Sequence, residues 1–576
     1  MEQLNKFIFS HYTLLSCVNL LMSGFIIYLF GRVFKIISSQ KKIRSIFITF
    51  AKVHVMDHVI KNNRKAFTHN NNFPPPGSDE ERKQFNFLQE GFKEQFQKIF
   101  PDRLAPRTVV IVPSFTLDRD MLSKVTGVMQ YEQRMLCLLM LLRMPLTKLI
   151  YITSEPVPES IIDYYLHLLP GITGDHARRR LTLLSCFDAS PKSLTQKILE
   201  RPRLLERIKQ QITDVSNTHL TCFNITPLEK TLAVRLGIPL FGTDPDKFYE
   251  GSKSGARKTF RACNVNFPDG FEDLHTRADI IDALAKLKTK NQALRKAVIK
   301  MNDGFSGDGN AIFRYPDLTA DGINEKSIDA VLLQNLSPVA KDVSKELFFE
   351  KFNLMGGVVE EFLEGKIKTS PSVQCVINPD KTIDIVSTHD QLLGGDDGQI
   401  FIGAIFPADE TYRVSLAHEG KKIAQALSEK GALGRFGIDF LSIQQDDKTW
   451  KHYAIEINLR KGGTTHPFLM LQFLTGGRYD ADAGKFITAS GSERFYFASD
   501  NVSNEKYKGL TPHDLIDIAM FHSLMYDGAA QEGVMFHLIG ALSEFGKLGM
   551  VCIGNSPQRA KEFYDKALQV LDYECC

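Results

Sequence analysis

The chain has 576 residues, well past the roughly 250–300 at which a single hydrophobic core stops growing, so several domains are expected. Hydrophobic residues make up 43% and charged residues 24%, with a net charge of +3, which excludes an intrinsically disordered chain and gives no basis for a nucleic-acid track. Nine cysteines lie scattered, mostly in apolar runs and without a Cys-x-x-Cys pair, which fits a reducing compartment better than a disulfide framework.

Residues 1–60 form a hydrophobic N-terminal segment. Within it, residues 12–31 (YTLLSCVNLLMSGFIIYLFG) carry no charge and are long enough to span the ~30 Å apolar core of a bilayer. Lys6 precedes the run, while Arg32, Lys35, Lys41, Lys42 and Arg44 follow it, a bias that would keep the bulk of the chain, and its catalytic region, on the cytoplasmic side. A membrane anchor is expected here. The alternatives are a secretory signal, whose small-residue cleavage pattern is poor, and a soluble helical extension. Residues 61–84 then read as a flexible linker, rich in asparagine and holding Pro74, Pro75 and Pro76.

From 85 to 245 strands and helices alternate. Extended runs at 107–115, 149–153 and 181–187 are separated by helical patterns at 130–142, 161–169 and, apart from Pro202, 194–212; a further helix near 225–236 is capped by Asn224 or Thr226. That alternation predicts a small α/β layer. No Gly-x-Gly-x-x-Gly turn is present, so a dinucleotide site is not indicated.

Residues 246–480 carry the chemistry. At 297–313 (AVIKMNDGFSGDGNAIF) a short apolar strand delivers Lys300, followed by a glycine-rich turn with Gly304, Gly307 and Gly309. Glycines let backbone amides turn toward an anion, and a strand lysine beside them neutralises phosphate charge. No Gly-Lys-Ser/Thr closes the loop, so it is not a Walker A motif, and alone it also fits an ordinary glycine hairpin. At 356–365 (GGVVEEFLEG) a buried run ends in Glu360, Glu361, Phe362 and Leu363, a strand end offering backbone polar groups and apolar walls to a flat base. Paired strands are expected around GGDDG at 383–406, where His389 reads as structural, with a catalytic or metal-ligand role as the alternative, and Asp396 and Asp397 as a solvent turn. A helix at 419–431 precedes the segment 434–460 (GRFGIDFLSIQQDDKTWKHYAIEINLR), in which two apolar runs flank a polar turn. Period-two alternation puts Glu456 and Asn458 on one strand face, and a hairpin would bring Asp439 beside them. Three such oxygen-bearing side chains suit a hard cation whose shell phosphates complete. Beyond 480 a mixed linker (481–510) leads to a small C-terminal α/β domain (511–576), with helices at 511–526 and 533–545, a strand at 550–554 and a final helix at 558–571.

Three motifs in this order, VIKMNDGFSGDGN, VVEEFLEG and GIDF…YAIEINLR, resemble the ATP-grasp superfamily. The flanking runs QYEQRMLCLLMLLRMP, IYITSEPVPESIIDYYLHLLPG, THDQLLGGDDGQIFIGAIFP and GVMFHLIGALSEFGKLGMVCIG narrow the likeness to the pheganomycin-type peptide ligases, from about residue 107 onward. The resemblance implies an ATP-grasp fold preceded by a Rossmann-like pre-ATP-grasp domain, in an α/β and α+β multidomain chain. It implies ATP held by Lys253, Lys300, the loop residues Gly304, Ser306, Gly307, Gly309 and Asn310, and the hinge residues Glu360, Glu361, Phe362 and Leu363. It implies Mg2+, with Mn2+ as a substitute, on Asp439, Glu456 and Asn458. Arg460 is then expected to steady an acyl phosphate, and His466 in the loop after it is a candidate for the amine proton. The ribose-binding acid of many members falls at Ile367 here, so Glu364 or another contact must serve. The implied activity is an ATP-dependent carboxylate–amine ligase acting through an acyl phosphate on small-molecule or peptide acids and amines. The alternatives are an ATP-grasp small-molecule kinase and a membrane-associated scaffold that binds nucleotide without turnover.

Overall fold

Arg107–Val112 (β1), Thr147–Thr153 (β2), Leu181–Ser185 (β3) and Thr218–Cys222 (β4) are apolar runs joined by helical crossovers, which commits them to parallel pairing. They form a sheet of order β3-β2-β1-β4 with all neighbours parallel, the half-Rossmann arrangement. The structure, a computed structural model, describes residues 73–116, 122, 125–303, 309–316, 324–340, 343–394 and 400–575. The expected membrane segment at 12–31 lies outside these residues, as do Gly304, Ser306, Gly307, Asp396 and Asp397. No helix among the described residues is long and apolar enough to cross a membrane.

Two further sheets frame the central region. Gly270–Leu274 (β5), Lys296–Met301 (β6), Asn310–Arg314 (β7), Leu336–Pro338 (β8) and Gly357–Glu361 (β9) make an antiparallel sheet of order β5-β9-β6-β7-β8. One face packs on Ile280, Leu284, Phe348 and Phe352 from its covering helices. The other sheet contains Lys368–Thr369 (β10), Pro371–Ile377 (β11), Ile383–Gly394 (β12), Ile400–Phe406 (β13), Gly434–Gln444 (β14) and Trp450–Asn458 (β15). The helix Arg413–Glu429 lies over β11 and β12, burying Leu416, Ile423 and Leu427. A short ribbon, Arg478–Asp480 (β16) with Lys485–Ile487 (β17), stands apart.

This second sheet does not stop where the sequence reading ended it. Phe495–Ser503 (β18), Gly533–His537 (β19) and Lys547–Gly554 (β20) extend it in the order β10-β14-β11-β12-β13-β18-β20-β19, with β15 also on β14. Two expectations are corrected by this. Residues 481–510 are not simply a linker, because β18 is paired on both sides, to β13 and β20. Residues 533–537 are strand rather than helix: GVMFH is buried throughout and pairs antiparallel with β20. A short apolar run cannot be assigned by periodicity alone, and here a partner strand decides it. The core of β18–β20 is continuous with one face of the parallel sheet, where Tyr151 and Leu149 join Tyr496, Met550 and Val551 in a single cluster. His389, buried on β12, bridges to the Tyr496 hydroxyl on β18 at 2.6 Å, so it is a structural histidine.

Smaller departures follow local rules. The first described helix, Asp79–Ile99, begins inside the expected linker because Ser78 caps it, accepting from the Glu81 N–H. Pro202 splits the expected 194–212 helix into Leu194–Leu199 and Pro202–Gln211, since proline suits only the first turn. Residues Val128–Arg143 form a 3₁₀ helix, far longer than the usual three or four residues, with its middle entirely buried.

Candidate active site

One cleft of about 1180 Å³ runs between the β5–β9 sheet and the larger sheet and reaches the C-terminal ends of the parallel strands. It is built from four groups of side chains.

The first is basic. Lys300 is the fifth residue of β6, pointing to the cleft opposite Asn310 of β7. Lys253 opens the helix Lys253–Ala262, whose N-cap Ser252 accepts from Gly255 N–H. One turn on, Arg257 shares its face. Each cation is answered. Lys253 Nζ lies 2.5 Å from Glu456 Oε1. Lys300 Nζ lies 2.6 Å from one oxygen of Glu360, and Arg257 Nη1 lies 2.7 Å from the other. Burial opposes a charge on Glu360, but Lys300 and then Arg257 outweigh it and hold the carboxyl below its ordinary value.

The second is acidic. The β14–β15 hairpin sets Asp439 directly opposite Glu456 and Gly437 opposite Asn458, with a bulge just after Asp439. Asn458 Nδ2 donates to Asp439 Oδ2 at 2.9 Å, and Gln391 Nε2 donates to Oδ1 at 2.7 Å. Burial, then the facing Glu456 carboxylate, push Asp439 up to about 7. Burial also opposes Glu456's charge, but Lys253 beside it keeps that carboxyl below its ordinary value. Two carboxylates this close, with an amide oxygen beside them, leave a negative excess that a hard divalent cation would relieve, so the donor set fits Mg2+. Among the described residues no cluster of three His, Cys, Asp or Glu is arranged for a metal.

The third group is the hinge. Glu361, Phe362 and Leu363 line the cleft with Val298, Met301 and Pro268. The Glu361 and Phe362 N–H groups are committed to Asp269 O and Lys296 O, and the Phe362 ring sits under Lys296 and Lys368. Ile367 lines the cleft and Glu364 does not.

The fourth lies where the parallel sheet ends. Lys461 N–H donates to Phe223 O, and its buried ammonium donates to Thr221 Oγ1 at 3.2 Å, tying the loop after β15 to β4. Arg460, Gly462, Gly463 and Thr464 of that loop face Tyr131, Arg134, Phe223, Asp500 and Asn501.

Lys253, Lys300, Gly309, Asn310, Glu360, Glu361, Phe362, Leu363, Asp439, Glu456, Asn458 and Arg460 therefore share one cleft. His466 does not. It is buried under the loop, with its Nε2 2.9 Å from His537 Nε2, which corrects its expected place at the reacting groups. Sequence reasoning missed Gln391, Arg134, Asp500 and Asn501, which come from strands and helices that period and composition mark only as core or linker.

The His466–His537 pair carries its own pH signature. Burial, then Arg134, drive His537 down to about 3, and burial drives His466 well below its usual value. A depressed folded value means the stabilisation is complete above the unfolded histidine value of about 6.5 and is lost as pH falls below it. Replacing both residues by glutamine is expected to shrink the drop in urea midpoint between pH 7 and pH 5; an unchanged drop refutes the assignment.

Residues 246–326 and 323–482 match the family described as "IQCH-like, ATP-grasp", and residues 514–567 match the "PGM1 C-terminal domain" family. Over 473 residues, 81% of this chain and 94% of the other, the sequence is 30% identical to the L-propargylglycine–L-glutamate ligase of Streptantibioticus cattleyicolor. The chain belongs to the ATP-grasp superfamily, among its pheganomycin-type peptide ligases. As a member of that group it is an ATP-dependent carboxylate–amine ligase. A second relative, the IQ motif-containing protein H of Danio rerio, is 22% identical over 519 residues, and the match covers 82% of this chain but 49% of that protein. Among solved structures, a biotin carboxylase βγ-ATP complex from Campylobacter jejuni covers 80% of this chain and 91% of its own, at 12% identity and a TM-score of 0.48. In ATP-grasp terms, the β5–β9 sheet and the β14–β15 hairpin are the two jaws of the cleft.

Proposed function

We propose that the ligase activates a carboxylic acid by transfer of the γ-phosphoryl group of ATP and then joins it to an amine, with each step carried by the cleft residues in named roles. The convergence of Lys253, Lys300, Asp439, Glu456, Asn458 and Arg460, drawn from more than two hundred positions of chain, is the observation that carries this reading. Lys300 and Lys253 hold the phosphates, helped by the glycine loop whose described end is Gly309 and Asn310. Glu361, Phe362 and Leu363 bracket the adenine. Glu360 touches no nucleotide in this scheme; it orients Lys300, since its oxygens are taken by Lys300 and Arg257. Asp439, Glu456 and the side-chain oxygen of Asn458 would hold Mg2+, or Mn2+ in its place. When bound, the cation would supply positive charge against the negative charge that builds on the transferring phosphoryl group.

The acid's carboxylate oxygen attacks the γ-phosphorus and ADP leaves. Arg460 steadies the resulting acyl phosphate. The amine nitrogen then bonds to the acyl carbon, the C–O bond to phosphate breaks, and the amine's proton passes to solvent or phosphate. His466 takes no part, because its Nε2 is engaged with His537.

The deciding experiment offers the full-length protein ATP, Mg2+ and a panel of acids and amines, reading products by mass. ADP, phosphate and an amide support ligation. A stable phosphorylated product would instead indicate a kinase, and nucleotide binding without product a scaffold; the relatives support neither. Lys300→Ala is expected to weaken ATP binding by roughly 10- to 100-fold, the loss of one charge-assisted contact of about 1.5–3 kcal/mol. Calorimetric titration checks this, and unchanged affinity counts against the assigned grip.

A further inference from the structure

Asn302 stands two residues beyond Lys300, where β6 ends and the glycine turn begins, and it touches three segments at once. Its side chain accepts, through Oδ1, from the Ser254 N–H at 2.9 Å and donates, through Nδ2, to Met355 O at 3.1 Å. Its backbone carbonyl accepts from the Lys253 N–H at 3.3 Å, and its own N–H donates to Gly356 O at 2.9 Å. One half-buried asparagine thus joins the strand of Lys300, the helix opened by Lys253, and the corner where the helix Lys345–Met355 passes into β9.

The helix start makes this contact informative. The first amides of an α-helix have no partner within it. Here the Gly255 N–H is answered by the N-cap Ser252, and the Ser254 and Lys253 amides by Asn302. These three amides are committed, so what the helix start offers the cleft is the Lys253 ammonium, which reaches Glu456 on the opposite jaw. The corner is built around the same asparagine. Gly356 has φ +68°, and a Cβ there would stand 3.0 Å from Asn302 Nδ2 and 2.8 Å from His275 Cε1. Glycine meets both demands, the left-handed backbone and the close approach.

We propose that Asn302 is a positioning residue for Lys253: it fixes where that lysine's backbone stands relative to Lys300, so that both ammonium groups meet one polyphosphate. The role rests on the assignment of Lys253 and Lys300 to the phosphates. A lysine is a compact charge on a flexible four-carbon stem, so its reach is set by the place of its Cα. Lys300 needs no such tie, because β6 is paired on both sides, to β7 and β9. Lys253 sits at the end of a helix, and the Asn302 contacts hold that end against the strand. Without the Asn302 carboxamide, the Ser254 N–H and Met355 O lose their partners and Lys253 is released from its place with its charge intact.

The test is a double-mutant cycle on full-length protein, with binding of the β,γ-imido analogue of ATP in the presence of Mg2+ read by calorimetric titration. Asn302→Ala is expected to weaken that binding about 10-fold in the wild-type background and about twofold or less beside Lys253→Ala, where no ammonium is left to position. Adenosine, which carries no phosphate, is expected to bind Asn302→Ala and wild type alike. Asn302→Ser, a smaller change, goes through the same cycle, with circular dichroism on every variant. Equal losses in the two backgrounds overturn the proposal, because an asparagine that only supports the fold acts whether or not Lys253 is there. So does a matching loss of adenosine affinity, or wild-type affinity for the analogue in a folded Asn302→Ala protein. A Lys253→Ala protein that binds the analogue as wild type does refutes the assigned phosphate grip itself, and the positioning role falls with it.

Discussion

Replacing Glu456 with glutamine is expected to slow ADP release by roughly 10²–10³-fold, about 3–4 kcal/mol of transition-state stabilisation, while the protein stays folded. Glu456 stands in register with Asp439, and together they concentrate the negative charge on which a divalent cation would sit. Glutamine keeps the size of the side chain and an oxygen for Lys253, so the jaw is not emptied. What it removes is the charge, which relieves the pressure on Asp439 and lets that carboxyl drop back from about 7. Steady-state ADP release, read beside circular dichroism, separates the two effects. Wild-type turnover in a folded Glu456→Gln protein would remove the hairpin from the mechanism.

Replacing Glu360 with alanine is expected to act on stability first, at a cost of about 3–5 kcal/mol, because Lys300 would be left buried without its counter-charge and Arg257 with Glu272 alone. Glu360 is 3% exposed, and Arg257 is 2% exposed, so water cannot stand in for the lost carboxylate. The pH dependence has a definite sign. The folded carboxyl titrates below its ordinary value, so its contribution is complete above an unfolded value of about 4.3 and is lost as pH falls through the folded one. The acid limb of wild-type unfolding should therefore contain a component that Glu360→Ala lacks. Urea unfolding at pH 7 and across the acid range measures both; a variant as stable as wild type at pH 7 would show that the triad is not holding the hinge.

How much of this was legible depended on distance along the chain. Lys300 with its glycine turn, and the Asp439, Glu456 and Asn458 hairpin, are local patterns: one strand, one turn, one period of two. Their meeting in a cleft follows once the family is recognised. For Glu360 the motif fixes only that it lies near the hinge, while its partners Arg257 and Lys300 come from a helix and a neighbouring strand. The β18 segment was read as linker because its bulge breaks the alternation at Asp500 and Asn501 and its partners begin about ninety residues upstream, at β13, and fifty downstream, at β20. His466 looked like a base because it follows the reacting loop, but the helix Thr465–Thr475 turns it inward, onto a histidine seventy-one residues away.

The C-terminal segment, for the same reason, is not a detachable cassette. Ending the chain after Asp480 would strip three strands from the large sheet and leave β13 with a bare hydrogen-bonding edge, open to pairing with another molecule. It would also unroof the apolar face of the parallel sheet, since Tyr496, Met550 and Val551 belong to the same core as Leu149 and Tyr151. Insertions, fusions and gene-level exchanges in this protein are thus constrained to respect both ends of the described chain at once, because the last strands close the house that the first ones began.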